Sequence, residues 1–227
     1  AMHHAALAQA EGIRRIQAEG KTAGTTFSCS WITPATGREK DILAAKRTDT
    51  LLNRLFIEAL LGYGYPLAEL PFLRRAEKWM LSGDEFRIKA IPDFIGIQNY
   101  TREVVQHSWW TPYIRAGIIP AQKRKVPVTL LNWEIFPEGI RHLLHKFNNY
   151  PEVKSIIVTE NGAAFNDEII HGTVSDIQRT HYLRKYISEV MTAAKEGVKV
   201  DGYFAWSLTD NFEWAEGFFP KFGLVKT

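Results

Sequence analysis

Ile156-Ile157-Val158-Thr159-Glu160-Asn161-Gly162 is a brief apolar, β-branched run that delivers a carboxylate into a polar turn containing glycine. A short run of this kind reads as a strand buried in a parallel sheet. An acid at the carboxyl end of such a strand stands where barrel enzymes place their chemistry. A surface glutamate that happens to precede a turn would look the same, so both readings of Glu160 stay open on these residues alone.

Working outward, four runs read as short buried strands: 24–31, 94–100, 155–159 and 202–207. Helical patterns lie between them, at 5–18, at 140–147 after Pro137-Glu138-Gly139, and at 175–194. In the last, Ile177, Tyr182, Leu183, Tyr186, Ile187, Val190 and Met191 are expected on one face, with Gly197 as a stop signal. Strand and helix in alternation point to an α/β protein with a parallel sheet. The strands are spaced more widely than the roughly 30 residues of a simple βα unit, which leaves room for large loops. Residues 33–40 and 108–128 read as surface loops, and no interdomain linker or repeat is evident.

Composition is that of a globular chain: among 227 residues, 45% are hydrophobic and 23% charged, too balanced for disorder. The net charge of +3 is spread along the chain, so no field for nucleic acid or an anionic membrane is implied. Lys123-Arg124-Lys125 reads as a solvated loop. No apolar run is long enough to span a bilayer, and Ala1-Met2-His3-His4 lacks the features of a signal peptide. The single Cys29 excludes an internal disulfide framework and reads as a small buried strand residue. That cysteine usage is compatible with a cytoplasmic location.

Two further stretches carry chemistry. From Gly202 through Gly217, tryptophans, acids and an asparagine follow a strand. Sugars present apolar C–H faces and polar hydroxyl edges, so indole walls beside carboxylates suit a sugar pocket, although an aromatic packing cluster fits the composition equally. In Pro92 to Arg102, a strand ends in Gln98, Asn99 and Tyr100, amide and phenol groups able to hydrogen-bond a neighbouring carboxylate.

Taken together and in this order, these segments resemble the family 1 glycoside hydrolases, retaining β-glucosidases and relatives built on a (β/α)8 barrel. The family's nucleophile motif stands as Thr159-Glu160-Asn161-Gly162, and its sugar-binding stretch is matched from Trp206 through Gly217. Asp93 to Arg102 and Trp133-Glu134-Ile135-Phe136-Pro137-Glu138-Gly139 extend the match over nearly the whole chain. The resemblance implies that Glu160 is the nucleophile and Tyr100 its hydrogen-bonding partner. It implies that Trp206, Glu213 and Trp214 hold the sugar hydroxyls, that Phe222 closes that subsite, and that Trp133 forms a platform for the leaving group. Gln98 stands where the family usually has asparagine, which leaves that contact open.

A retaining glycosidase needs a second carboxyl group as acid and base. In the family it lies in an Asn-Glu-Pro motif upstream of a helical histidine pair. No such motif occurs here; Trp133-Glu134-Ile135 and Asp84-Glu85-Phe86 do not resemble it, whereas His3-His4 resembles the pair. A purification-tag remnant is the competing reading of those histidines. The expectation is therefore a single partial catalytic domain over residues 1–227, strands five to eight of the barrel, truncated at both ends. The acid/base glutamate and the true amino terminus would lie upstream.

The expected function is hydrolysis of terminal β-D-glucosides with retention. The alternative is a non-catalytic sugar-binding or assembly half-barrel that pairs with a separate partner. Expected partners are a β-glucoside or oligosaccharide and the amino-terminal half, with neither nucleic acid nor membrane. Glu213 would repel a phosphate dianion, which favours unphosphorylated sugars, with β-galactosides or β-fucosides as second substrates. No metal or cofactor is implied, since two carboxyl groups suffice. His107, His142, His145 and His181 lack ligand spacing and are assigned surface or packing roles.

Overall fold

A computed structural model describes residues 1–166, 169–171 and 173–225. The chain begins with α1 (Met2–Ala18), β1 (Gly24–Ser28), β2 (Trp31–Pro34) and α2 (Glu39–Asp49), which runs through a π-helical turn (Thr50–Arg54) into α3 (Leu55–Leu61). A 3-10 segment (Pro71–Trp79) and α4 (Asp84–Arg87) lead to β3 (Phe94–Gln98), β4 (Arg102–His107), β5 (Ala116–Ile118), α5 (Ala121–Arg124) and α6 (Glu138–Asn148). The rest comprises β6 (Ile156–Asn161), a small hairpin of β7 (Ile169–Ile170) and β8 (Thr173–Val174), α7 (Ile177–Lys195) and β9 (Val200–Ala205).

The main sheet has the order β1-β3-β6-β9, so its strands lie side by side in chain order, and every pairing is parallel. Strand residues alternate between faces. Ile95, Ile97, Ile156 and Val158 turn to one side, where Ala10 and Ile13 of α1, Leu60 and Leu61 of α3, Leu143 and Phe147 of α6, and Tyr182 and Tyr186 of α7 bury them. The other side is more open: Ser28 and Phe204 are exposed. Among the described residues, β1 and β9 are the two edges of this sheet, each paired on one side only.

The four expected strands correspond to β1, β3, β6 and β9, and the three helices to α1, α6 and α7. Several local expectations are corrected. Residues 33–40 are not a loop: Thr33 and Pro34 belong to β2, which pairs parallel with β4. Residues 108–128 contain β5 and α5; β5 pairs antiparallel with β4. This second sheet is stabilised by α2, whose Ala44 and Ala45 pack on Ile32, Val105 and Ala116.

The face of α7 also differs. Its buried stripe is Arg179, Tyr182, Tyr186, Val190 and Ala193, whereas Ile177, Ile187 and Met191 are exposed. At about 100° per residue, Met191 lies half a turn away from Tyr182. Lys123-Arg124-Lys125 is not simply a solvated loop, because Arg124 is on α5 and its guanidinium pairs with buried Glu134.

Cys29 is buried, and burial pushes its thiol up to about 12. His3 is buried within α1, with ring nitrogens 2.9 Å from the Tyr65 hydroxyl and 2.8 Å from Asp84 Oδ2. It is part of the packed helix rather than an appendage. His142 stacks on Trp31 and His145 hydrogen-bonds Glu196, both packing or surface roles.

Candidate active site

A one-residue irregularity in β6 sets the geometry. Ile97 is in register with Val158, but Gln98 is in register with Glu160, so Thr159 is the extra residue. Bulges re-aim side chains; this one makes Gln98 and Glu160 neighbours. Gly96 provides the space: a Cβ there would fall 2.3 Å from Thr26 Oγ1 and 2.8 Å from Thr159 Cγ2.

Both carboxylate oxygens of Glu160 are held. Gln98 Nε2 donates to Oε1 at 2.7 Å, and the Tyr100 hydroxyl donates to Oε2 at 2.6 Å. Hydrogen bonds to an ionised acceptor are the stronger kind. The longer amide of Gln98 therefore reaches the carboxylate. Burial, then the neighbouring Glu160 carboxylate and Glu213, push the Tyr100 phenol well above its ordinary pKa, so it remains a donor at neutral pH.

Asn161 locks this strand end from behind. Its Nδ2 donates to Asn99 O at 2.7 Å and to the Tyr182 hydroxyl at 3.0 Å, while the Tyr203 hydroxyl donates to its Oδ1 at 2.7 Å. Its backbone carbonyl accepts from Trp206 N at 2.9 Å. One buried amide thus ties β6 to the residue that follows β3, to β9 and to α7. The next residue must be glycine, because a Cβ on Gly162 would lie 1.8 Å from the Trp206 carbonyl oxygen.

Aromatic rings wall the site. Tyr100 and Trp133 have ring centroids 5.2 Å apart, and Phe222, 1% exposed, lies 6.3 Å from Tyr100 and 6.1 Å from Trp133. Trp206 Nε1 donates to Glu213 Oε1 at 3.1 Å. The structure therefore brings Glu160, Gln98, Tyr100, Trp133 and Phe222 together and pairs Trp206 with Glu213. Trp214 stands apart on a short 3-10 turn and is 89% exposed.

Two supporting ties had no local sequence signal. Arg179 of α7 donates to Ala163 O at 3.3 Å and to Lys221 O at 2.7 Å, joining the loop after Glu160 to the segment that carries Phe222. The other is a buried ion cluster. Arg102 grips Glu134 with two bonds of 2.8 Å, and Arg124 adds a third contact of 2.8 Å. Burial alone would raise the Glu134 carboxyl, but the two guanidiniums outweigh it and hold it below the usual range. Among the described residues, no His, Cys, Asp or Glu group could hold a metal, and no helix is long and apolar enough to cross a membrane.

Four parallel strands in chain order, backed by helices on one face and carrying polar groups at their carboxyl ends, define a chain of the (β/α)-barrel class. Within that class the chain belongs to glycosyl hydrolase family 1, whose family model matches residues 1–226. It is 36% identical to a 1,4-β-D-glucan glucohydrolase of Thermotoga neapolitana, over 99% of this chain and 53% of that protein. It is 34% identical to β-glucosidase A of Thermotoga maritima, over 99% of this chain and 50% of that one.

Among solved structures, an enzyme called AHE from Alicyclobacillus herbarius superposes with a TM-score of 0.92 at 30% identity, covering 99% of this chain and 51% of its own. A family 1 β-glucosidase from Thermotoga maritima gives 0.90 at 31% identity, covering 100% and 51%. The chain spans about half the length of the relatives it matches. It forms half of a TIM barrel, in keeping with the expectation of strands five to eight.

Proposed function

We propose that this chain is the nucleophile-bearing half of a retaining β-glucosidase. The observation that carries the proposal is the grip of Gln98 and Tyr100 on both oxygens of Glu160, beside an aromatic wall, in a family 1 chain. The names of the relatives support β-glucosides as the substrate class.

In this mechanism Glu160 attacks the anomeric carbon as the leaving group departs, forming a glycosyl ester that water then hydrolyses. Tyr100 and Gln98 keep the carboxylate aligned for attack. Trp206, Glu213 and Trp214 hold the sugar, Phe222 closes its subsite, and Trp133 receives the leaving group. The acid/base carboxylate is supplied by the other half of the barrel, and residues 1–227 act as one partial catalytic domain. Glu213 disfavours a 6-phosphate, so the substrates are unphosphorylated.

The test is reconstitution. The 227-residue chain alone should hydrolyse aryl β-D-glucosides at most about 10⁻² to 10⁻⁴ as fast as the same chain joined to an amino-terminal half that carries an acid/base glutamate. Glu160→Gln should abolish the restored activity. Family-level turnover by the isolated chain would refute the division of roles. Sugar binding without turnover in the joined protein would favour a non-catalytic half-barrel.

A further inference from the structure

The cluster around Glu134 has a geometry that solubility alone does not require. Glu134 is 3% exposed, yet its carboxylate meets two guanidiniums. A buried charge is costly unless it is fully paired, and this one is paired across the fold. Arg102 is the first residue of β4, two residues after Tyr100. Arg124 ends α5. Glu134 immediately follows Trp133.

Trp133 sits on a narrow turn. Thr129 N donates to Trp133 O at 2.9 Å, Ile135 N donates to Pro127 O at 2.9 Å, and Asn132 takes a positive φ of 62°. Leu130 N also donates to Ala164 O at 3.0 Å, tying the turn to the loop after Glu160, but none of these backbone bonds reaches the segment that carries Tyr100 and Arg102. The bidentate Arg102–Glu134 pair spans that gap, and a planar fork on a carboxylate sets direction as well as distance. Phe136 packs under the same guanidinium, 4.0 Å from its ring centroid. The tilted Trp133–Tyr100 contact of 5.2 Å lies at the end of this brace.

We infer that Glu134 is a positioning residue: clamped by Arg102 and Arg124, it sets the orientation of the Trp133 platform relative to Tyr100 and thereby tunes discrimination among leaving groups. The inference rests on the glycosidase reading proposed above. It concerns only the step in which the leaving group is present. Once the glycosyl ester has formed, the leaving group has gone and Trp133 has nothing to orient.

The test uses the chain joined to an amino-terminal half-barrel that carries an acid/base glutamate and compares Glu134→Gln, Arg124→Met and the unaltered protein. For aryl β-glucosides, kcat/KM should fall roughly tenfold in Glu134→Gln, and less in Arg124→Met, which keeps the Arg102 pair. For methyl β-glucoside, which offers no ring to the platform, the loss should be less than about twofold. The hydrolysis rate of the preformed glycosyl ester should be unchanged. Equal losses for aryl and methyl substrates, or slowed ester hydrolysis, would overturn the inference in favour of a general structural role. If Glu134→Gln fails to fold, a uniform loss or no loss in Arg124→Met overturns it equally. An unaltered protein with no turnover at all would overturn the glycosidase reading itself, and with it this inference.

Discussion

Tyr100 donates its phenolic hydrogen to Glu160 Oε2 over 2.6 Å, from a residue just beyond the end of the neighbouring strand. Replacing it with Phe leaves the ring contact with Trp133 and removes only the donor. A hydrogen bond to a charged group contributes about 1.5–3 kcal/mol. Tyr100→Phe in the joined protein should therefore lower the melting temperature by a few degrees and, by releasing one oxygen of Glu160 from its alignment, lower kcat by roughly 10- to 100-fold. Unaltered kcat would show that the bond does not act on the nucleophile.

Two glycines should respond in opposite ways to alanine. Gly162 has no room for a Cβ beside the Trp206 carbonyl. Gly162→Ala should force the two backbones apart and cost about 3 kcal/mol in urea unfolding. Gly12 lies inside α1, where an added methyl would meet nothing within 4 Å. Gly12→Ala should stabilise by about 0.5–1 kcal/mol.

Acid should weaken the fold through its clamped carboxylates. Glu134 is held below the ordinary range by its arginines, and Asp84 by His3 and the Leu81 N–H. A carboxyl with a depressed folded pKa stabilises fully above its unfolded value, and that contribution is lost as pH falls through the folded one. The melting temperature should thus drop as pH falls below about 4. Glu134→Gln should be less stable at pH 7 but show a shallower fall in acid. An equally steep fall would place the acid sensitivity elsewhere.

The isolated chain should associate. Among the described residues, β1 and β9 each have an unpaired edge, and Phe204, Leu208 and Phe212 are exposed near the β9 end. Open edges and apolar patches recruit partners. Sedimentation should show dimers or larger species at micromolar concentration, reduced when an amino-terminal half is added. A clean monomer under both conditions would contradict this expectation.

The main strands were legible because parallel strands buried among helices must be continuous apolar runs, and Ile95 to Ile97 and Ile156 to Val158 are such runs. The second sheet was not: β2 ends at Pro34 and β4 begins with Arg102 and Glu103, too polar and short to stand out. On α7 the buried arc is displaced from the apolar stripe because Arg179, a charged residue, takes a place on the buried face, where backbone carbonyls satisfy it. That Gln98, Tyr100 and Glu160 stand at strand ends was legible in their motifs, and the structure brings them into contact. The site's supports were not, because the bulge at Thr159 and the Arg102–Glu134 brace arise only when distant segments meet.

The central claim is that Glu160 forms the covalent ester, and it can be tested on the joined protein with 2-deoxy-2-fluoro-β-D-glucosyl fluoride. Attack by the carboxylate expels fluoride, and the 2-fluoro group slows the subsequent hydrolysis so that the ester persists. Mass spectrometry should find one fluoroglucosyl group on the peptide containing Glu160, with one equivalent of fluoride released and activity lost in step. An ester on a different carboxylate, or continued turnover with no adduct, would contradict the assignment of Glu160.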